Sequence, residues 1–477
     1  MHHHHHPPPP TTSRTTTTTK ISTHFIILAT TIFSLLLILT FSFSSRPPHP
    51  HPNQPHPSLF PNHQPHRLLF HHNPNDQNTL LPPPPAIAYL ISGSTKDTSR
   101  IIRLLFAVYH PRNQYLLHLD RKASQYERDD LALYVQSVPL FKAAQNVNFI
   151  GKADSVYPMG SSALSATLHG AAILLRVSAQ WDWFINLSAD DYPLVTQDVS
   201  ADYPIVSQNS VCMLDNVEDM HTMRDKIKNK DTWDKVGVAF VVRRDLLHIL
   251  SYIPKDLNFV NHTSYIGWRE SRKLKPIVVD PGLYLEEEDE VFYATQKREL
   301  PDAYRLFSGS SSSVLSRKFI EFCILGTDNL PRTLLMYLSN SPSSASVYFP
   351  TILCNSRKYN RTTINHNLRY ASFNSRQEVL PLNTSDFNDL VMSGAVFAAP
   401  FEANNPILDQ IDHELLHHKH DEPVPGGWCL GENETDKCTV WGDAEVLRPG
   451  PGAQRLEKRF VQIFSNGTFL SSRCIYE

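Results

Sequence analysis

The chain has 477 residues, room for about two or three domains of ~100–200 residues each. Its 44 Lys and Arg against 47 Asp and Glu hide a split: the first 85 residues sum to +3 and the remainder to −6, the reverse of a nucleic-acid-binding body. A hydrophobic content of 41% excludes disorder throughout, and a single long apolar run excludes a multi-pass membrane protein.

That run is Phe25–Phe43, 19 residues without a charge. At ~1.5 Å per residue a helix of this length spans ~28 Å, close to the hydrocarbon core of a bilayer. Arg14 and Lys20 precede it, which by the positive-inside rule keeps residues 1–24 cytosolic, although Arg46 on the far side blunts the rule. The expectation is a type II signal anchor; a cleaved signal peptide, giving a soluble secreted protein, is the competing reading. Residues 44–85 are rich in Pro, His and Asn and read as a polyproline-like stem rather than a metal site, because the histidines are irregularly spaced.

From Ala86 strands and helices alternate. AIAYLIS (Ala86–Ser92), YLLHLD (Tyr115–Asp120), VNFI (Val147–Ile150) and WFINLS (Trp183–Ser188) read as buried strands. Between them lie a helix opened by Asp97 or Thr98, a second opened by Ser124, and a third from Ser162 to Ala179. This pattern predicts an α/β fold with a mostly parallel sheet covered on both faces, and a ligand at the carboxyl ends of the strands. Asp120 follows the second strand and Asp190-Asp191 the fourth. No GxGxxG or GxxxxGK[ST] supports a dinucleotide or P-loop site.

Six segments stand in one order: LLHLDRKA, NLSADDYPLVTQD, YRLFSGSSSSVLSRKFIEFC, GTDNLPRTLLMY, GGWC and WGDAEVLRPG with GAQRLEK. Together they resemble the plant branch of the core-2/I-branching glycosyltransferase family, glycosyltransferase family 14, over nearly all of residues 86–477. The resemblance implies a GT-A-like domain in the Golgi lumen, a UDP-sugar donor, a glycan or glycoprotein acceptor, inversion at the anomeric carbon, and no prosthetic group. UDP-glucuronate transfer to galactan of arabinogalactan-type glycoproteins is the favoured activity; UDP-GlcNAc-dependent branching is the alternative.

An inverting transferase needs positive charge for the departing diphosphate and a base for the acceptor hydroxyl. The adjacent Asp190-Asp191 lacks the spacing of an Asp-x-Asp metal motif, and the resemblance implies that basic side chains replace a divalent metal. Arg455 and Lys458 are the expected donor-binding cations, with Arg459 next; a solvated helix face is the bland reading of all three. Asp120, Asp190 and Asp191 are expected on the donor, and Ser308, Gly309 and Ser310 beside the acceptor. Asp328 is expected to shape a pocket. Plant relatives read close to SSPEGYFHT where this chain has SSASVYFPT (Ser343–Thr351), so Ser346 stands at the position of the usual catalytic Glu and Pro350 at that of a His. A hydroxyl cannot accept a proton as a carboxylate does. Either another acid such as Asp328 serves, or the protein binds without turning over.

SADDYPLVTQD (Ser188–Asp198) is followed by a near copy, SADYPIVSQN (Ser200–Asn209). Residues 199–244 match nothing in the family pattern and read as an insertion or a gene-model artefact. Cys429 and Cys438 match a paired position in relatives, so a disulfide is expected. Asn261, Asn360, Asn383, Asn433 and Asn466 open N-x-[ST] sequons suited to glycosylation, whereas Asn186 lies inside a strand and is expected to stay bare.

Overall fold

The computed structural model describes residues 84–198, 246–263, 266, 272–284, 290–376, 378–430, 438, 440–444, 447, 451–464 and 474. The expected anchor at 25–43, the stem at 44–85 and the segment 199–244 lie outside the described residues. Among those described, no helix is long and apolar enough to cross a membrane.

The core is a seven-stranded sheet built from β1 (Ile87–Gly93), β2 (Gln114–Leu119), β3 (Val147–Phe149), β4 (Trp183–Ser188), β5 (Asn258–Phe259), β6 (Val314–Ser316) and β7 (Thr363–Ile364). Their order across the sheet is β7-β5-β6-β4-β1-β2-β3. β1 pairs in parallel with β2 and β4, β2 with β3, and β5 with β7, while β6 alone runs antiparallel between β4 and β5. Six carboxyl ends and the amino end of β6 therefore share one edge.

Side-chain alternation sends the two faces of each strand into separate apolar layers. Ile87, Tyr89 and Ile91 of β1 enter one, with α1 (Thr98–Ala107) and α2 (Gln125–Ser137) over them. Ala88 and Leu90 enter the other, under α3 (Ser162–Val177). Gly170 of α3 lies where a Cβ would sit 2.7 Å from Leu90, so glycine lets the helix lie close on the sheet. The opening of α2 is set by a capping box: the Ser124 hydroxyl accepts from the Glu127 N–H and the Glu127 carboxylate accepts from the Ser124 N–H, an arrangement worth about 1 kcal/mol.

The expected strands and helices agree with these elements to within one or two residues, and the mixed α/β architecture fits a GT-A-like domain. The second half adds α4 (Leu246–Tyr252), α5 (Arg317–Leu325), α6 (Asn329–Leu338), α7 (Ala345–Asn355) and α8 (Pro451–Phe464).

The two sides of the 199–244 segment meet in a defined register. The N–H of Leu246 donates to the carbonyl of Thr196 at 3.2 Å, and that of Leu247 to Gln197 at 3.3 Å. Each bond spans 50 chain positions; discounting the 46 residues Val199–Arg244 leaves four, the spacing of an α-helix. Thr196 and Gln197 thus accept from N–H groups that the first turn of α4 would otherwise leave without intrahelical partners. Leu246, Leu247 and Leu250 are buried in the core, which fixes this junction by packing as well.

Candidate functional site

The shared edge of the sheet gathers residues that lie far apart in sequence. Asp120 follows β2 and is 5% exposed. Its carboxylate accepts from the Ser94 hydroxyl beyond β1 at 3.0 Å and from the backbone of Lys122 at 3.0 Å. These bonds hold the carboxylate beside the turn after β1, at the carboxyl ends of the strands, where open α/β sheets place their ligand crevice.

Asp191, after β4, is buried, and its carboxylate accepts from the Ser188 N–H at 2.6 Å. Nη1 of Arg369 lies 2.8 Å from Asp191 Oδ1, an ion pair without good hydrogen-bond alignment. Burial pushes the Asp191 carboxyl up to about 6 against the pull of Arg369, with neighbouring Asp190 adding to the rise. Arg369 also donates to the Ser312 hydroxyl and to the Asn186 carbonyl, so one guanidinium ties β4, the loop before β6 and the exit of β7. Asp190 is half-buried, and its carbonyl accepts from the Phe401 N–H. Behind it the Tyr192 hydroxyl donates to Asp412, which is also paired with Arg103 of α1 at 2.6 Å.

Ser308, Gly309 and Ser310 lie beside the β5 exit. Ser308 and Gly309 pair antiparallel with Thr263 and His262, and the Ser310 N–H donates to the Asn261 carbonyl. A Cβ on Gly309 would sit 1.8 Å from that carbonyl, so only glycine allows the approach.

Two of the expected cations are described. Arg455, on α8, donates to the Leu194 carbonyl at 3.3 Å. Arg459 sits 2.8 Å from Nε2 of His366, which follows β7. Burial, reinforced by Arg459, lowers His366 to about 4, so its ring is neutral at pH 7. Lys458 falls within the helical backbone, but its side chain lies outside the described residues. Leu456 and Phe460 of the same helix are buried in the core.

The structure separates Asp328 and Ser346 from each other. Asp328 is the N-cap of α6; its exposed carboxylate accepts from the Leu330 N–H at 2.8 Å. Ser346 lies in the first turn of α7, beyond the far end of α6, and a ten-residue helix is ~15 Å long. Asp328 thus caps the start of α6, about a helix length from the turn that leads to Ser346. The Ser346 hydroxyl donates to the Ser343 carbonyl at 2.8 Å. Pro350 lies inside the same helix and has no N–H to offer the carbonyl four residues back, which is that of Ser346. The two departures from the family pattern thus meet on one turn.

Sequence reasoning missed Arg369 and His366. Their signal was positional: both follow a two-residue strand too short to show periodicity, and only the sheet order brings them to the site.

The Cys429 and Cys438 sulfurs are bonded at 2.13 Å, and a second disulfide joins Cys354 to Cys474. His262 lies with these last two sulfurs in a group whose ligand atoms fall within 4.8 Å of one another. The disulfide occupies both sulfurs, so the group as it stands is not a thiolate site. Asn261 and Asn383 are exposed and Asn360 is half-buried; Asn433 and Asn466 lie outside the described residues. Asn186 is held within β4 by Ser311 and Ser313.

Comparison with known proteins gives this edge its context. The family model described as Core-2/I-Branching enzyme matches residues 87–237 and 238–388, two stretches that meet inside the 199–244 segment. The chain is 44% identical over 402 residues to the β-glucuronosyltransferase GlcAT14A of Arabidopsis thaliana, covering 83% of this chain and 80% of that one. It is 44% identical over 392 residues to GlcAT14B (81% and 80%) and 40% identical over 391 residues to GlcAT14C (82% and 85%), both from the same plant. With a family match over most of the folded body and relatives this similar along most of their own length, the chain belongs to the core-2/I-branching family of glycosyltransferases.

Proposed function

We propose that the chain transfers glucuronate from UDP-glucuronate to galactan of arabinogalactan-type glycoproteins, as an inverting enzyme of the Golgi membrane with residues 86–477 in the lumen. The observation that carries the donor choice is the 44% identity to a β-glucuronosyltransferase along 402 residues. The anchor follows from the apolar run Phe25–Phe43 and the lumen from the two disulfides.

In this reading Asp120 takes the uridine–ribose end of the donor. Arg369 and Arg459, with Arg455 and Lys458 of α8, offset the charge that builds on the diphosphate as the sugar–phosphate bond breaks. Such fixed cations do the work of a divalent metal without requiring one. Ser308–Ser310 line the acceptor side, held there by their pairing with Asn261–Thr263. The acceptor oxygen attacks the anomeric carbon, UDP leaves, and the acceptor proton has to be taken up.

A second reading keeps donor binding and drops turnover. The observation favouring it is Ser346, whose hydroxyl is engaged with its own helix where relatives keep a carboxylate. Incubating the full chain with labelled UDP-glucuronate, UDP-GlcNAc and other UDP-sugars, each with galactan acceptors, separates the readings. Glucuronate appearing on galactan supports the proposal; calorimetric binding of UDP-glucuronate without any transfer supports the second reading; transfer of GlcNAc alone overturns the donor choice.

A further inference from the structure

A cavity of about 510 Å³ lies between α3 and α6. Its walls are two helical stripes: Ser161, Leu164, Ser165, Leu168 and His169 at the start of α3, and Arg332, Leu335 and Ser339 along and just beyond α6. Cys323 and Ile324 of α5, Leu283 and Tyr348 complete it. The size falls in the ~300–1,000 Å³ range of small-molecule sites, and the lining has their usual character, apolar with a few convergent polar groups.

The charges are unequal. His169 is held by Asp154 at 2.8 Å. Arg332 gives one N–H to the Gly326 carbonyl at 2.9 Å and meets no carboxylate among the described residues. Its guanidinium stands on the same stripe as Leu335 and Met336, and Met336 is 74% exposed, as Leu325 is 67% exposed next to Ile324. The result is a mainly apolar chamber beside one exposed cation that meets no acid among the described residues. Cys323 is half-buried, and desolvation holds its thiol well above its ordinary range, hence neutral.

We propose that this cavity binds an amphipathic anion, an apolar tail in the chamber and a carboxylate on Arg332. The occupant touches Tyr348, two residues along α7 from Ser346.

The test uses dodecanoate, dodecanol and acetate as probes on the full chain carrying Cys212→Ser, held in amphipathic polymer so that no alkyl detergent competes. Two readouts serve: calorimetric binding, and the rate at which Cys323 reacts with a thiol reagent. Dodecanoate is expected to bind and slow the thiol reaction, and acetate to do neither. Arg332→Gln should weaken dodecanoate about tenfold, the scale of one charge-assisted contact, while leaving dodecanol unchanged. Leu168→Trp, which fills the chamber, should abolish both, and Ser165→Phe from the exposed rim should do the same if the first variant misfolds. No binding, equal binding of alcohol and carboxylate, or binding that survives both filling variants overturns the proposal.

Discussion

The β4–β1–β2 edge and the α6–α7 hairpin carry residues chosen by the same reasoning, yet the structure treats them differently. At the edge, Asp120 and Asp191 come from strands whose carboxyl ends must converge, because parallel pairing puts them there whatever the chain separation. On the hairpin, Asp328 and Ser346 sit eighteen positions apart at the starts of two successive helices, and successive helix starts are held apart by a helix length. The edge has charge and burial, with Arg369 paired to Asp191; the hairpin has a cap and a hydroxyl turned onto the Ser343 carbonyl just before α7. Chemistry assigned from strand ends is carried by topology. Chemistry assigned from helix starts has to compete with capping, which uses the same residue types.

The largest expected change sharpens the hairpin side. Ser346→Glu with Pro350→His supplies a carboxylate and returns an N–H to the helix, and should raise transfer by ~10²-fold, the low end of general-base effects. The gain belongs in kcat, with donor affinity unchanged, because a base acts on the transition state. Unchanged turnover in a folded double variant that still binds donor would mean that the position is not used as a base.

The next effect concerns pH and tests how buried three histidines and Asp191 are. Burial lowers His110 to about 3 and His262 to about 4, and His366 also falls to about 4. These folded values lie below the unfolded one, so their contribution is present above about 6.5 and is lost as pH falls toward 4. Asp191, raised to about 6, acts in the opposite sense: its contribution is full below about 4 and is lost as pH rises through 6. Three histidines outweigh one aspartate, and the protein should lose on the order of several kcal/mol between pH 7 and 4.5. Denaturant titrations of His366→Gln across this range should show a shallower loss; an identical slope would mean that the ring is not held neutral.

A smaller effect is expected at the helical seam. Removing Val199–Arg244 should leave a continuous first turn into α4 and a domain at least as stable as the parent, since closing a loop of that length costs a few kcal/mol. Cooperative melting at or above the parent temperature is the expected result; loss of cooperative melting would place those residues in the core. The smallest effect is at Asp328→Asn. Asn caps a helix as well as Asp, so stability should change by less than about 0.5 kcal/mol and transfer should persist. Loss of transfer in a folded protein would return Asp328 to the site.

The sheet was legible because its strands are apolar and regularly spaced, and Ser124 announced the start of its helix. Asp120 and Asp191 were legible for the same reason, as acids standing directly after such strands. Arg369 and His366 were not, since β7 is two residues long and its place beside β5 depends on long-range pairing. The Cys354–Cys474 bond was likewise invisible: 120 residues separate its halves, and nothing local distinguishes either cysteine. The role of α8 was half legible, with Arg455 and Arg459 visible as a basic run and its buried face at Leu456 and Phe460 overlooked.

The most direct test of the donor edge is a calorimetric titration of UDP into the full chain, wild type beside Arg369→Gln and Asp120→Asn. If the edge holds the donor, both variants bind UDP at least about tenfold more weakly, the scale of one charged contact, while Asp120→Asn melts within a few degrees of the parent. Undiminished UDP affinity in folded protein with Asp120→Asn and Arg369→Gln would place the nucleotide elsewhere and contradict the account.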